Sequence, residues 1–260
     1  MRCVKKSDPL YMQDVTSSML DELIPDEGDN VDLIDKRDGE TYKVARLADG
    51  NVWMLDNLRL DPTTVDLTKL QTLSNASATT IAYLRNGGGS SPYPATGVNT
   101  TWASSSGNKY DEPKVVTTYK DTTATSYGAG SGKIGVYYNY CAASAGSYCY
   151  PTSSSTGNAT EDLCPAGWRM PTGGSSSEYK ALYTAYSSDV TNFKNALSTP
   201  LSGYFRSGSA YNQGTYGCFW SSTRNDNSGM YYLNVSSGNV SPTDASPRNY
   251  GRSMRCLLDS

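Results

Sequence analysis

The chain has 260 residues, enough for one large domain or two small ones with a hydrophobic core. Its net charge of −3 and pI of about 5.0 exclude the basic surface typical of nucleic-acid binding, and no polybasic run points to a membrane surface. Histidine is absent, which excludes Ser-His-Asp and Cys-His hydrolases in their usual form.

The amino-acid composition is more informative about function than the net charge. Tyrosine occurs 21 times and phenylalanine 3 times, and only 18% of the residues are charged. Tyrosine gives binding surfaces rigid amphipathic area, while serine, glycine and asparagine give adaptable hydrogen bonds. The same usage is found in secreted β-rich proteins with long polar loops, so composition leaves both interpretations open.

Residues 1–30 are predicted to form an acidic lead-in with a short helix in MQDVTSSMLDELI, ended by Pro25. The opening residues lack the apolar core of a signal peptide, and the sequence has no membrane span. We expect any leader or anchor of an exported protein to precede Arg2. The side chains on one side of the helix would be Met12, Val15, Met19, Leu20 and Leu23.

The segment 31–60 has the pattern of β-strands. In TYKVARLADGNVWML, a β-rich run meets an Asp49-Gly50 turn and resumes at Val52, with Trp53 and Met54 predicted to lie in the core. Residues 61–160 are polar and too long for a pure loop, so we expect an ordered insertion with short helices and strands. LTKLQTLSNA predicts a helix there, and IGVYYNYCA predicts the strongest strand.

A helical period returns after residue 175. SSEYKALYTAYSS predicts an amphipathic helix, and a second short helix is expected over 192–197, before Pro200. From Leu201 onward LSGYF, CFWSST, MYYLNV and GRSMRCLL predict strands. Strands, two helices and further strands indicate an α+β domain. The first helix repeats its apolar side chains at Tyr179, Leu182, Tyr183 and Tyr186.

Six cysteines without a CxxC pair disfavour zinc ribbons and thioredoxin-like sites, and their even number suits an oxidising compartment. We predict two disulfides. Cys141–Cys149 would close a small loop, and Cys164–Cys256 would join the middle of the chain to its end. The remaining Cys3 and Cys218 either pair with each other or leave a free thiol.

Four sequence blocks resemble the conserved blocks of a known protein family. DKRDGETYKVARLADGNVWMLDNLRL, CPAGWRMPT, FWSST and GRSMRC occur in this order between residues 35 and 256. Together they resemble the Fibrobacter succinogenes major paralogous domain family, although the insertion at 61–160 is longer than that family's pattern. The matching positions are Trp53, Met54, Asn57, Leu58, Cys164, Pro165, Gly167, Trp168, Arg169 and Pro171, followed by the last two blocks.

The resemblance implies an exported bacterial protein with a disulfide-stapled C-type-lectin-like domain over residues 31–260. Some members of this family resemble targets of diversity-generating retroelements. In these systems the adenines of AAC codons are rewritten, so that the codon can encode any residue with an NNC codon. Residues 221–253 contain no Lys, Glu, Gln or Trp, none of which an NNC codon can encode. The segment therefore fits a variable ligand-binding region at about 203–256.

Strand alternation separates framework from contact positions in this region. Tyr231, Leu233 and Val235 would point inward, and the residues between them outward. Val240 and Pro242 would continue the framework. Tyr232 and Tyr250 are the expected anchors among the contact candidates. These candidates are Asn225, Asp226, Asn227, Tyr232, Asn234, Ser236, Asn239, Ser241, Asp244, Asn249 and Tyr250.

The expected function is extracellular ligand binding, as an adhesin or receptor-recognition protein, with an unidentified protein or glycan on another cell surface as ligand. No nucleic-acid partner is expected, and a membrane would be reached only through an anchor outside this sequence. An ordinary solvated edge hairpin remains the alternative for the C-terminal segment. Cys218 is either half of a bridge to Cys3 or a diversified position, and Trp53, Trp168 and Trp220 are expected in the core.

Three other functional classes are alternatives to ligand binding. C-type-lectin-like folds resemble formylglycine-generating oxidases, but no matching cysteine pair lies near the C-terminal strands beyond Cys218 and Cys256, so we expect no catalytic residues and no enzyme. Oxygen ligands within 224–244 could bind Ca²⁺, although their spacing matches no EF-hand, and no other cofactor or metal is expected. A fixed surface-layer or pilus-tip role would require self-association and an invariant C-terminal segment.

Overall fold

The protein is described by a computed structural model that covers residues 8–102, 110–150, 157–226 and 229–259. This part of the chain contains six helices and twelve strands. The helices are α1 (Ser17–Leu23), α2 (Leu67–Leu73), α3 (Ala78–Asn86), α4 (Tyr140–Ala143), α5 (Glu178–Ala185) and α6 (Val190–Ala196). The strands are β1 (Asn30–Ile34), β2 (Thr41–Arg46), β3 (Val52–Met54), β4 (Val115–Val116), β5 (Tyr137–Tyr138), β6 (Trp168–Arg169), β7 (Tyr204–Arg206), β8 (Ser209–Tyr211), β9 (Gly217–Arg224), β10 (Gly229–Val235), β11 (Val240–Pro247) and β12 (Leu257–Leu258).

The strands form antiparallel sheets. The largest has the order β1-β2-β3-β12-β6, and a second has the order β11-β10-β9. β4 pairs with β5, and β7 pairs with β8. The predicted mixture of helices and sheets is confirmed, because short antiparallel strands alternate with capped helices along the chain.

The C-terminus closes the large sheet. Leu257 in β12 pairs with Trp53 in β3 on one side and with Arg169 in β6 on the other. The Cys164–Cys256 disulfide lies immediately beside this junction, and Cys141–Cys149 closes the turn after α4. Both predicted disulfides are confirmed. GRSMRCLL, however, forms regular strand only at its last two residues, because residues 251–253 make isolated bridges to three separate segments.

The N-terminal helix is shorter than predicted. The Thr16 hydroxyl accepts a hydrogen bond from the Met19 amide, so the helix begins at Ser17. Met12 instead lies in a turn before the helix, where its amide donates a hydrogen bond to the Ile34 carbonyl, and its side chain is buried. Leu20 is buried as expected. The prediction that all five apolar residues share one side is wrong, because Met19 and Leu23 are 40% and 47% exposed.

The polar insertion is tied to the core by tyrosines. The predicted helix at LTKLQTLSNA is confirmed as α2. The predicted strand IGVYYNYCA is only two residues long, because the Asn139 side chain caps the following helix α4. Tyr138 donates a hydrogen bond to the Leu60 carbonyl, and Tyr140 donates one to the Ser222 carbonyl. Both rings are fully buried, so the insertion packs on the domain core.

The two predicted helices are confirmed as α5 and α6, and both pack on the three-stranded sheet. Tyr179 and Leu182 of α5 and Phe193 of α6 are buried together with Phe219 of β9 and Leu233 of β10. The Ser177 and Asp189 side chains cap the two helices. The side of the β9–β11 sheet that carries Phe219, Leu233 and Val235 therefore packs on these helices.

The buried tyrosines predict a specific pH dependence of stability. Burial raises the pKa of Tyr42, Tyr138 and Tyr140 well above the usual tyrosine value, so the folded state retains these protons when the unfolded chain loses them. Stability is then full below about pH 10 and falls above it, by up to about 1.4 kcal/mol per pH unit for each tyrosine. Because the chain lacks histidine, the free energy of unfolding should be nearly constant between about pH 7 and 8.5.

Urea unfolding across this range checks the prediction. A steep loss above about pH 10 is expected. A main loss below about pH 9 would show that other groups control stability.

Candidate ligand-binding surface

On the side opposite the helices, the three-stranded sheet is polar over β10 and β11, whereas Trp220 and Cys218 of β9 are buried on that side. Tyr232 in β10 pairs with Trp220 in β9 and with Asp244 in β11, while Asn234 pairs with Cys218 and Ser241. Directly opposed residues in neighbouring strands point to the same side of a sheet. Four predicted contact positions therefore share one surface, which we call the polar face: Tyr232, Asn234, Ser241 and Asp244.

Asp244 is the centre of the hydrogen bonds on the polar face. One of its carboxylate oxygens accepts hydrogen bonds from the Asn234 amide at 2.7 Å and the Tyr232 hydroxyl at 3.4 Å. The other accepts one from the Ser241 hydroxyl at 2.6 Å. All four side chains are half-buried. The network holds these groups in a fixed arrangement while part of each remains open to solvent.

The framework alternation is largely confirmed on these strands. Leu233, Val235, Val240 and Pro242 are buried, and Asn239 and Thr243 are exposed. Tyr231 is only half-buried, and it packs against the backbone at residues 173–174 rather than in the core.

Tyr232 is less free than a simple outward position. Its ring packs against the main core, and the Arg252 guanidinium lies 3.5 Å from the ring centroid. Irregular register on both sides of Tyr232 breaks the strict alternation on which the prediction rested. Burial raises the pKa of Tyr232 to about 12. Tyr232 therefore lies on the polar face with its hydroxyl bonded to Asp244, but its ring is half-buried.

Arg252 connects the polar face to the β7–β8 hairpin. Its guanidinium lies 5.1 Å from the Trp220 ring and 5.4 Å from the Tyr204 ring. The side chain is buried, and its Nε and Nη1 atoms have no hydrogen-bond partner among the described residues. A cation held mainly by aromatic faces thus lies beneath this part of the surface.

The hairpin carries a second group of aromatic residues. The Tyr204 ring stacks on Tyr211 at 5.7 Å and on Tyr250 at 5.9 Å, with interplanar angles of 14° and 6°. The Arg206 guanidinium lies 4.8 Å from the Tyr211 ring and donates a 3.2 Å hydrogen bond to the Tyr250 hydroxyl. We call Tyr204, Arg206, Tyr211 and Tyr250 the tyrosine–arginine platform.

Only Tyr250 of the platform was among the predicted contact residues. The sequence signal for the others was the alternation in Tyr204-Phe205-Arg206, which places Phe205 in the core and its two neighbours on the opposite side. Arg252 carried no comparable signal, because its burial depends on residues far away in sequence.

The remaining predicted residues lie away from the polar face. Asn225 and Asp226 lie at the β9–β10 turn, and the Asp226 carboxylate accepts a hydrogen bond from the Gly229 amide. Ser236 and Asn239 form the β10–β11 turn at the other end of the sheet. Asn249 follows β11 and is half-buried, and Asn227 lies outside the described residues. The structure therefore distributes the predicted set over both ends of the sheet.

The tryptophans and Cys218 have mainly structural positions. Trp53, Trp168 and Trp220 are fully buried, as predicted, and the indole of Trp220 donates a hydrogen bond to the Tyr138 carbonyl. Cys218 is a buried free thiol whose pKa is raised by burial. Cys3 lies outside the described residues.

Clefts occur on other parts of the molecule. One of about 530 Å³ lies between Leu47, Leu55 and α6, and another of about 700 Å³ lies beside the start of α5. Within the described ranges, no group of three His, Cys, Asp or Glu residues could hold a metal ion. No helix in this part of the chain is long and apolar enough to cross a membrane.

No protein-family model, curated protein or solved structure matches the chain.

Proposed function

We propose that the chain is an extracellular ligand-binding protein, an adhesin or receptor-recognition module of C-type-lectin-like fold. Its polar face and tyrosine–arginine platform would contact a ligand on another cell surface. The observation that carries this proposal is the division of the β9–β11 sheet into two faces. Leu233 and Val235 pack on the helices, whereas Asn234, Ser241 and Asp244 present hydrogen-bonding groups on the other side.

Several features support the fold proposal. The C-terminal strand pairs between β3 and β6, so the two ends of the domain are joined in one sheet. Residues of the four resembling blocks occupy structural positions: Trp53 and Trp168 are buried, Cys164 and Cys256 are bonded, and Asn57 accepts a hydrogen bond from Arg255. Roles of this kind explain why such blocks would stay constant while other residues vary.

The disulfides support export. Such bonds form and persist in oxidising compartments, and two of them are present in the described part of the chain. Cys164–Cys256 spans a sequence separation of 92 residues, so it fixes the scaffold beneath the C-terminal strands. A covalently closed scaffold suits a surface whose side chains change.

We propose further that a retroelement diversifies this surface. The exposed and half-buried positions of β10, β11 and their turns carry residues that NNC codons encode, and the buried positions between them preserve the sheet. Surface substitutions usually change the free energy of unfolding by less than about 0.5 kcal/mol, whereas truncating a buried leucine costs about 2–5 kcal/mol. Diversification confined to the exposed and half-buried positions would leave the fold intact.

A display library tests this division. NNC codons would be introduced singly at Ser236 and Asn239, and in a matched set at Leu233 and Val235. We expect nearly all variants of the first pair to resist protease like the parent, and most variants of the second pair to be cleaved. Equal sensitivity of the two sets would contradict the proposal that a constant scaffold carries a variable surface.

A further inference from the structure

The charge of the C-terminal region is opposite to that of the rest of the chain. Residues 203–256 contain five arginines, two aspartates and neither lysine nor glutamate, which gives +3. Because the whole chain carries −3, the remaining residues carry −6. Four of these arginines are buried, namely Arg224, Arg248, Arg252 and Arg255, so the positive charge reaches solvent through Arg206. A solvent-accessible cation on an acidic protein attracts anions locally, while the overall charge disfavours non-specific binding of acidic polymers.

Two of these arginines belong to the candidate surface and lack acidic partners. Neither Arg206 nor Arg252 forms an ion pair within the described ranges, whereas Arg37, Arg46, Arg59 and Arg169 all do. Arg252 is buried beneath this surface with two unpartnered nitrogens, and its guanidinium stacks on the Tyr232 ring, whose hydroxyl donates a hydrogen bond to Asp244. Arg206 is therefore the solvent-accessible cation of the platform, and it has no ion-pair partner among the described residues.

Arg206 is held in position by the platform itself. Its guanidinium is within 6.0 Å of three tyrosine rings and hydrogen-bonds to the Tyr250 hydroxyl. Arginine presents five N–H donors in a planar fork that matches a carboxylate. The stacking rings restrict the fork without supplying an anion, so a ligand carboxylate would meet a preorganised donor.

Resting on the function proposed above, we infer that this surface binds an acidic saccharide, with the carboxylate of a hexuronate unit on Arg206 and a sugar ring on the platform. The half-buried tyrosines of the platform would contact the sugar ring beside Arg206, and the nearby Asn234, Ser241 and Asp244 would hydrogen-bond its hydroxyls.

A saccharide fits this surface better than an acidic protein does. Protein interfaces are built around an apolar core. Among the described residues, the large hydrophobic side chains that are exposed are Met19 and Leu23, both on α1 and outside the platform. The platform and polar face carry aromatic, guanidinium, amide, hydroxyl and carboxylate groups, which suit a polyhydroxylated anion.

Titration calorimetry with polygalacturonate tests the inference at about 0.15 M salt, where long-range attraction between exposed charges is largely screened. Fully methyl-esterified polygalacturonate provides the matched neutral probe, and poly-L-glutamate provides an acidic peptide. We expect binding to polygalacturonate alone. We expect Arg206→Gln to weaken it at least about tenfold and Arg206→Lys to weaken it less, because charged hydrogen bonds are lost or reduced.

The exposed Lys69→Gln on α2 removes one positive charge outside the platform and should leave binding unchanged. Circular dichroism of each variant confirms that it is folded. Binding that survives Arg206→Gln, equal binding of the methyl ester, or stronger binding of poly-L-glutamate would overturn the inference. Absence of binding to polygalacturonate would also reject it, while the display library and the natural variation of the segment would still test the proposed function separately.

Discussion

Replacing Cys164 and Cys256 together with alanine is expected to lower the free energy of unfolding by about 4.5 kcal/mol, because the disulfide closes a long loop in the unfolded chain. The two cysteines are separated by 92 residues, whereas Cys141 and Cys149 are separated by 8. In the chain-entropy description, the shorter loop contributes about 2.5 kcal/mol. The two double variants should therefore differ by about 2 kcal/mol.

Urea unfolding of the two double variants under oxidising conditions measures this difference. All four cysteines are buried, so each variant loses packing as well as the covalent bond, and the matched pair isolates loop length. Equal losses would show that unfolded-state entropy is not the dominant contribution. A larger loss for the Cys141/Cys149 variant would contradict the account in which the long bridge fastens the C-terminal region.

Arg255→Met is expected to cost about 3–5 kcal/mol, because this arginine is the central buried donor of the C-terminal junction. It donates to the Asn57 side chain at 3.0 Å, to the Ser198 carbonyl at 2.8 Å and to the carbonyls of Leu197 and Met54. Burial lowers its pKa to about 10, and the guanidinium remains protonated at neutral pH. Its removal leaves buried acceptors without donors.

Arg85→Met on α3 is the matched control, because Arg85 is half-buried and donates one hydrogen bond, to the Val65 carbonyl. We expect this change to cost about 1 kcal/mol or less. Thermal and urea unfolding of both variants give the comparison. A cost of less than about 1 kcal/mol for Arg255→Met would contradict the role assigned to its hydrogen bonds.

Short sequence patterns predicted those helices, turns and disulfides that are determined by residues close in sequence or by the cysteines. The helical period at Tyr179 and Leu182 predicted α5, because residues three and four apart share a helix face. The Asp49-Gly50 turn predicted the β2–β3 hairpin, and the short spacing of Cys141 and Cys149 predicted the first disulfide. The second, Cys164–Cys256, was predicted as a bridge from the middle of the chain to its end. These signals were sufficient because each element forms from neighbouring residues or from a covalent bond between a small number of candidates.

Features set by distant contacts could not be predicted. Tyr232 is half-buried because Arg252 stacks on its ring and irregular register surrounds it, and neither effect is visible in strand alternation. The platform brings Tyr204 and Tyr250 together from segments more than forty residues apart. The strand predicted in IGVYYNYCA ends at Tyr138, because the Asn139 side chain caps helix α4. Whether this asparagine continues a strand or caps a helix depends on the packing around it.

Sequencing the codons for residues 201–256 across natural isolates, together with the flanking DNA, tests the central claim most directly. The account predicts that substitutions concentrate at NNC-type codons on the polar face and in the turns, such as those for Asn234, Asn239 and Ser241. A near-copy of the segment should carry adenines at the same positions, while the codons for Leu233 and Val235 remain constant. An invariant segment without such a copy would contradict diversification and favour a fixed structural surface protein.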